Sequence, residues 1–291
     1  MSNFRIIPKI EVKQFNLVKG YKLEGLRVLG SPLLFIQEYE RFLADEILVE
    51  DVMASILDSL VEQKLIKDIV KNTSVALTAG GGIKNIRDVD KIFSAGAERV
   101  ILCSAAIKKS NLIRKIYEKY GSQSVAVKLE IYSKNDEIEY FTFCNGREIF
   151  KCNTYEWIKN LIDLGVGEIY VNFIDDDGTG KSVNAKLFEI LRHKIDVPII
   201  YSGGISSLKD IKLIENIGGD GVAIASALHY NLLPNIFDYK VKNKFFSRKN
   251  LNEDIGNYEW ILNGYGEDRT SMVPILSLKE IKKNILTGRN Q

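Results

Sequence analysis

Short β-branched runs alternate along the chain with amphipathic stretches. The runs lie at residues 5–11, 46–51, 75–79, 99–103, 125–130, 168–172, 197–201 and 221–225. Most lack the strict apolar–polar alternation of a half-exposed strand, as expected of parallel strands covered on both faces. Between them, segments such as 56–71 and 207–217 carry apolar residues at helical spacing. Eight strands alternating with helices predict an α/β chain folded as a (β/α)8, or TIM, barrel.

The pattern also repeats. Lys9-Ile10-Glu11 returns as Lys128-Leu129-Glu130, and Gly81-Gly82-Ile83 as Gly203-Gly204-Ile205. The EILVED run at 46–51 returns as EIYVNFID at 168–175, and GAERVILCSAAI at 96–107 as GGDGVAIASALH at 218–229. Four matched segments in one order, at an offset of about 120 residues, predict a barrel built from two (βα)4 half-barrels. An open doubly wound sheet would not account for that two-fold repeat.

Two stretches break the rhythm of this single 1–291 barrel domain. Residues 132–153 read as a hairpin after the fifth strand, with Asn145-Gly146 as its turn. Residues 230–271 are too long for an ordinary connection, and an amphipathic helix follows only at 275–286. They read as an insertion in the last βα loop, on the catalytic face, with Phe245, Phe246, Tyr258, Trp260 and Tyr265 available for packing.

Composition narrows the classes. Forty basic against 38 acidic residues give a net charge of +2, which offers no field for nucleic acid or an anionic membrane. No segment approaches a membrane span, and the N-terminus lacks the features of a signal peptide. Cys103, Cys144 and Cys152 follow no metal spacing and suit a reducing compartment. With only His193 and His229, no histidine-based metal site is expected, nor any organic cofactor. The reading is a soluble cytoplasmic protein.

Barrel chemistry sits at the carboxyl ends of the strands. There, Gly80-Gly81-Gly82 and Ser104 form one small-residue pair of loops. Asp177-Gly178-Thr179, Gly203-Gly204 and Ala225-Ser226 form its counterpart. Glycines let backbone N–H groups approach phosphate oxygens, and the following helix N-terminus favours the anion. Tight βα turns use glycine for steric reasons too, but two symmetric copies point to two phosphates, or a diphosphate, held across the mouth. Glu11 and Glu130 end strands one and five and face each other in a two-fold barrel, which suits acid–base work. Asp51 and Asp177 are further carboxylates at the mouth. Cys103 has no histidine in its motif to activate it, so packing is its expected role.

At these residues the chain resembles HisF, the cyclase subunit of imidazole glycerol phosphate synthase. The strings that carry the resemblance include RIIPKIEVKQFNLVKG from Arg5, EILVEDVMAS from Glu46, TAGGGI from Thr78, GSQSVAVKLE from Gly121, GVGEIYVNFIDDDGTG from Gly165 and SGGI from Ser202. They cover nearly every strand. The resemblance implies a glutaminase (HisH-like) partner at the N-terminal barrel face and ammonia passing along the barrel axis to a bis-phosphorylated substrate. It also implies a charged ammonia gate, at Arg5, Glu46, Arg99 and Glu168, with arginine at 99 where the family usually has lysine. Lys19 matches the lysine of the first loop that reaches a substrate phosphate.

Departures fall between these landmarks. The family's catalytic aspartates at the ends of strands one and five are Glu11 and Glu130 here. The Asp-Gly expected after Lys13 is Gln14-Phe15, the strand-four asparagine is Cys103, and the strand-six threonine is Asn172. A reacting group moved by ~1 Å can cost about a hundredfold, so the paired change reads as retuning. Two enzymatic expectations follow. One is the family's own lyase-type reaction, making imidazole glycerol phosphate and an aminoimidazole carboxamide ribotide, with Glu130 as acid and Glu11 as base. The other is a paralogue that amidates a nucleotide-activated acetamido sugar for surface polysaccharide. A partner-free isomerase has no use for the gate. A non-catalytic, glutaminase-activating scaffold has no use for the glycine loops.

Overall fold

The computed structural model describes residues 4–135, 137–181, 183–242 and 275–288. The first half runs β1 (Arg5–Lys13), β2 (Asn16–Tyr21), β3 (Glu24–Gly30), α1 (Pro32–Arg41), β4 (Ile47–Asp51) and α2 (Gln63–Asn72). It continues with β5 (Leu77–Gly80), α3 (Ile86–Ser94), β6 (Arg99–Leu102), α4 (Ser104–Lys108) and α5 (Asn111–Tyr120). The second half holds β7 (Val125–Lys134), β8 (Glu137–Phe143), β9 (Glu148–Phe150), α6 (Thr154–Asp163) and β10 (Glu168–Phe173). Then come α7 (Ala185–Arg192), β11 (Ile199–Ser202), α8 (Leu208–Asn216), β12 (Gly221–Ile224), α9 (Ser226–Lys242) and α10 (Leu278–Gly288).

Strands β1, β4, β5, β6, β7, β10, β11 and β12 pair in that order, all parallel, and β12 pairs back onto β1. The sheet is therefore closed, and the expected eight-stranded barrel of alternating strands and helices is what forms. Each half contributes four adjacent strands. The local signals repeat with them: Asn85 caps α3 after the first Gly-Gly-Ile turn, and Ser207 forms a capping box with Asp210 on α8 after the second.

Side chains alternate between two cores. Ile6, Ile10, Ile47 and Val49 point outward against the helices. Ile7, Leu48, Ile101, Ala126, Tyr170, Ile200 and Ala223 form a separate apolar layer inside the barrel. Period-two geometry then orders the interior along the axis. On β1 the inward series is Arg5, Ile7, Lys9 and Glu11; on β4 it is Leu48 and Glu50, with Glu46 just ahead of the strand; on β10, Glu168, Tyr170 and Asn172. Charge sits at both ends of the barrel, and the apolar layer lies between.

Two antiparallel additions shape the mouth. The β2–β3 hairpin continues from β1, turning at Lys22-Leu23, both with positive φ. Its tip is tied to both sides of the mouth: Lys22 N–H donates to the Asp177 carbonyl (2.8 Å), and Asn145 Nδ2 donates to the Leu23 carbonyl (3.0 Å). Across the barrel, β8 and β9 extend β7 as a three-stranded meander, with Asn145-Gly146 in the β8–β9 turn.

The helix expected at 56–71 starts only at Gln63. The stretch before it is committed elsewhere: Asp51 holds the N–H groups of Met53 and Ala54 in a turn, Ser59 N–H donates to the Ala54 carbonyl, and Val61 N–H donates to the Gly81 carbonyl. Of the expected 230–271 insertion, residues 230–242 lie in α9, which follows β12 directly and buries Leu232, Leu233 and Ile236. Residues 243–271 lie outside the described residues. Among the described residues no helix is long and apolar enough to cross a membrane.

Candidate active site at the mouth of the barrel

Two buried charge clusters occupy the carboxyl ends of the strands. In the first, Glu11 receives Lys9 Nζ on Oε1 (2.8 Å) and Lys19 Nζ on Oε2 (2.7 Å). Lys19 also reaches Asp177 Oδ1 (2.6 Å), and Lys9 lies 3.6 Å from Asp177 Oδ2. All four residues are at most 3% exposed, with Lys19 brought in by β2 of the hairpin. Burial opposes charge on Glu11, yet Lys19 and Lys9 outweigh it and hold the carboxyl well below the usual range. The Asp177 and Glu11 carboxylates likewise overcome burial and raise Lys19.

The second cluster is the repeat counterpart. Lys128 Nζ pairs with Glu50 Oε1 (2.9 Å) and Glu130 Oε1 (3.2 Å). Glu130 Oε2 accepts from Thr142 Oγ1 (3.1 Å) and from the Gly146 N–H (3.0 Å). The repeat thus brings strand one to strand six and strand five to strand two: Lys9 reaches Asn172 Oδ1 (3.4 Å) as Lys128 reaches Glu50. Glu50 Oε2 and Asn172 Nδ2 are buried without a hydrogen-bond partner. Burial and the nearby Glu130 push the Cys103 thiol well up, so it is a poor nucleophile here.

Each cluster opens on a cavity. One, of about 340 Å³, is lined by Lys9, Lys19, Asp177, Gly178, Gly203, Gly204, Ala225 and Ser226. The other, of about 440 Å³, is lined by Glu50, Asp51, Gly81, Gly82, Ser104 and Lys128. The glycine pairs have matched backbones, with φ +121° and +71° at Gly81 and Gly82, and +104° and +71° at Gly203 and Gly204. A Cβ at Gly82 would lie 1.9 Å from the Ser59 carbonyl, so close packing of the loop demands glycine there. Asp51 lines its cavity but spends its carboxylate on the N–H groups of Gln14, Met53 and Ala54. Ser104 Oγ accepts from the Cys144 N–H (3.2 Å).

At the opposite end, Arg5, Glu46, Arg99 and Glu168 close into a ring. Arg5 NH1 meets Glu46 (2.8 Å) and its NH2 meets Glu168; Arg99 NH1 meets Glu46 (3.1 Å) and Glu168 (2.7 Å). Tyr170 and Thr78 add hydroxyl donors to Glu46 at 3.2 and 2.6 Å. Burial works against charge on Arg5 and Arg99, but the two carboxylates dominate and raise both.

Sequence reasoning missed Lys9, Lys128 and Glu50 as site residues, although the repeated Lys-apolar-Glu triplet carried the signal for both lysines. It also missed His229, which anchors β1 beneath the mouth. The Lys9 carbonyl can only accept, so His229 Nε2–H donates to it (3.0 Å) and Nδ1 accepts from Tyr39 O–H (2.6 Å). Burial lowers the His229 pKa to about 3. The unfolded chain takes up this proton below about pH 6.5, whereas the folded protein holds it off until about pH 3, so stability falls as pH drops through that window. The urea midpoint of the native chain is expected to fall more steeply below pH 6.5 than that of His229→Gln. Equal slopes for the two proteins would reject this assignment.

The sequence model of the family described as histidine biosynthesis protein matches residues 5–234, from β1 into α9. The imidazole glycerol phosphate synthase subunit HisF of Lactococcus lactis subsp. lactis (strain IL1403) is 32% identical over 248 residues, 84% of this chain and 96% of that protein. The HisF subunit of Legionella pneumophila is 34% identical over 211 residues, 72% of this chain and 99% of that protein. The subunit of the same name from Petrotoga mobilis (strain DSM 10674 / SJ95) is 29% identical over 229 residues. With the family model matched over most of its length and this extent of shared sequence, the chain belongs to the HisF family of histidine biosynthesis proteins.

Proposed function

We propose that this chain is the synthase subunit of a glutamine amidotransferase, using ammonia on a substrate that carries two phosphates. One observation carries the reading: two symmetry-related, glycine-lined cavities at one end of the barrel axis meet the lysines that pair with Glu11 and Glu130, Lys9 and Lys19 in one and Lys128 in the other. A long substrate laid across the mouth puts one phosphate in each cavity, on N–H groups that the positive-φ glycines leave unobstructed. Ser226 and Ser104 add hydroxyls, and Lys19 leaves Glu11 for the incoming phosphate. Ammonia then attacks the ribulosyl-formimino carbon and the bridge is cleaved, releasing the aminoimidazole carboxamide ribotide; the new nitrogen condenses with the ribulosyl ketone, expelling water, and closes the ring of imidazole glycerol phosphate. Glu130, a carboxylate among the donors Lys128, Thr142 and Gly146, takes the proton shed by the attacking nitrogen and passes it to the departing group. Glu11, which Lys19 and Lys9 hold ionised at rest, becomes more basic once Lys19 has left it, and accepts one.

The ring of Arg5, Glu46, Arg99 and Glu168 faces the glutaminase and controls entry to the apolar interior. Excess ammonium bypasses the partner in a test. The chain is expected to consume the ribulosyl-formimino bis-phosphate and form both products with ammonium alone, and with glutamine only when the glutaminase is added. No consumption while inorganic phosphate still binds would reject this substrate. A second reading then applies, in which a nucleotide-activated acetamido sugar is amidated and its diphosphate uses the same glycine loops. The observation favouring it is the charged floor of Lys9, Glu50 and Lys128 between the cavities, beneath glutamates that stand one methylene further out than the family's aspartates.

A further inference from the structure

The two clusters at the mouth are related by the repeat but not by charge. On the Glu11 side, two ammonium groups, Lys9 and Lys19, serve two carboxylates, Glu11 and Asp177. On the Glu130 side, Lys128 alone serves Glu50 and Glu130, and among the described residues no other cation pairs with either. Glu130 Oε2 is occupied by neutral donors, the Thr142 hydroxyl and the Gly146 N–H. The uncompensated negative charge therefore coincides with an unpartnered oxygen, Glu50 Oε2, on a side chain that is 7% exposed. An unpaired buried carboxylate oxygen is costly, and cations with N–H donors satisfy it best.

We propose that Glu50 Oε2 is a binding site for the ammonium ion, which completes this cluster as the Lys19 head group completes the other. The choice of ammonium over other monovalent cations rests on the ammonia-using function proposed above. Position supports it: Glu50 lines the larger cavity beside Ile101, and it lies one inward step along β4 from Leu48 of the apolar layer. A small cation thus meets Glu50 where the apolar interior gives way to charge. Potassium is of similar size but needs a fuller shell of oxygens than one free carboxylate oxygen supplies. Ammonium needs only acceptors along its N–H directions.

Thermal unfolding of the full chain, without substrate or partner, reads the site directly. Sodium chloride is exchanged for ammonium or potassium chloride at constant ionic strength. At an ammonium concentration about ten times its Kd, Tm is expected to rise by roughly 3 °C. The rise is expected to be absent in potassium and lost in Glu50→Gln. Wild-type chain is also expected to broaden the 15N-ammonium resonance, which keeps the test decisive if the variant does not fold. No rise in ammonium, an equal rise in potassium, or a rise that survives Glu50→Gln overturns the proposal. Because no turnover is measured, ammonium binding here with an inert bis-phosphate would sink the proposed reaction and leave this site standing.

Discussion

Glu130→Gln is expected to lower turnover of the bis-phosphate at saturating ammonium by about 10²–10⁴-fold, the usual worth of a positioned acid or base. Its KM for the phosphate substrate should move little, because the Gly81–Gly82 and Gly203–Gly204 loops are separate from the carboxyl group. The fold should survive. A glutamine oxygen still accepts from Thr142 Oγ1 and the Gly146 N–H, and Lys128 keeps Glu50 as its partner. Lost activity in a stable protein therefore reports the missing proton and not a collapsed site. Glu11→Gln is expected to behave alike in turnover, although it also loosens Lys9 and Lys19. Turnover by Glu130→Gln within threefold of wild type would remove Glu130 from the chemistry. If the acetamido sugar proves to be the substrate, the same comparison applies to that reaction.

The barrel was legible because its signals are local and occur twice. Every barrel strand starts within two residues of its β-branched run, and all but β7, which continues four residues to Lys134 as part of the meander, also end within two; the Gly-Gly-Ile turns are followed by Asn85 and Ser207 at the helix starts. The β2–β3 hairpin was not legible, and its turn explains why. A two-residue turn with positive φ at both positions ordinarily announces itself as Asn-Gly or Asp-Gly. Here Lys22 and Leu23 adopt those angles, held by hydrogen bonds from outside the hairpin, at Asp177 and Asn145. Tertiary contacts chose the turn. The charged floor was hidden for a related reason. Lys9 and Lys128 look like solvated flanks beside a strand-end glutamate, and only closure of the barrel turns alternate residues inward onto partners in non-neighbouring strands. Glu50 drew no notice because its repeat counterpart, Asn172, carries no charge.

Lys128→Met is expected to be the most destabilising single change at the mouth, costing about 3–5 kcal/mol, because it strips the cation from two buried carboxylates. At 8% side-chain exposure Lys128 has little solvent to screen that loss, and Glu50 and Glu130 are left as like charges in one buried cluster. Lys9→Met is the informative control. Its partners Glu11 and Asp177 both keep Lys19, so the same loss of charge should cost clearly less. Adding Glu50→Leu to Lys128→Met should recover most of the stability, leaving Glu130 on its neutral donors and giving a coupling energy of about 2 kcal/mol or more. Urea unfolding of Lys128→Met, Lys9→Met, Glu50→Leu and the double variant measures both costs and the coupling. A Lys128→Met protein no less stable than Lys9→Met, or a double variant that recovers nothing, would mean that the two clusters are equivalent in charge after all. The ammonium site at Glu50 would then lose its physical basis together with this prediction.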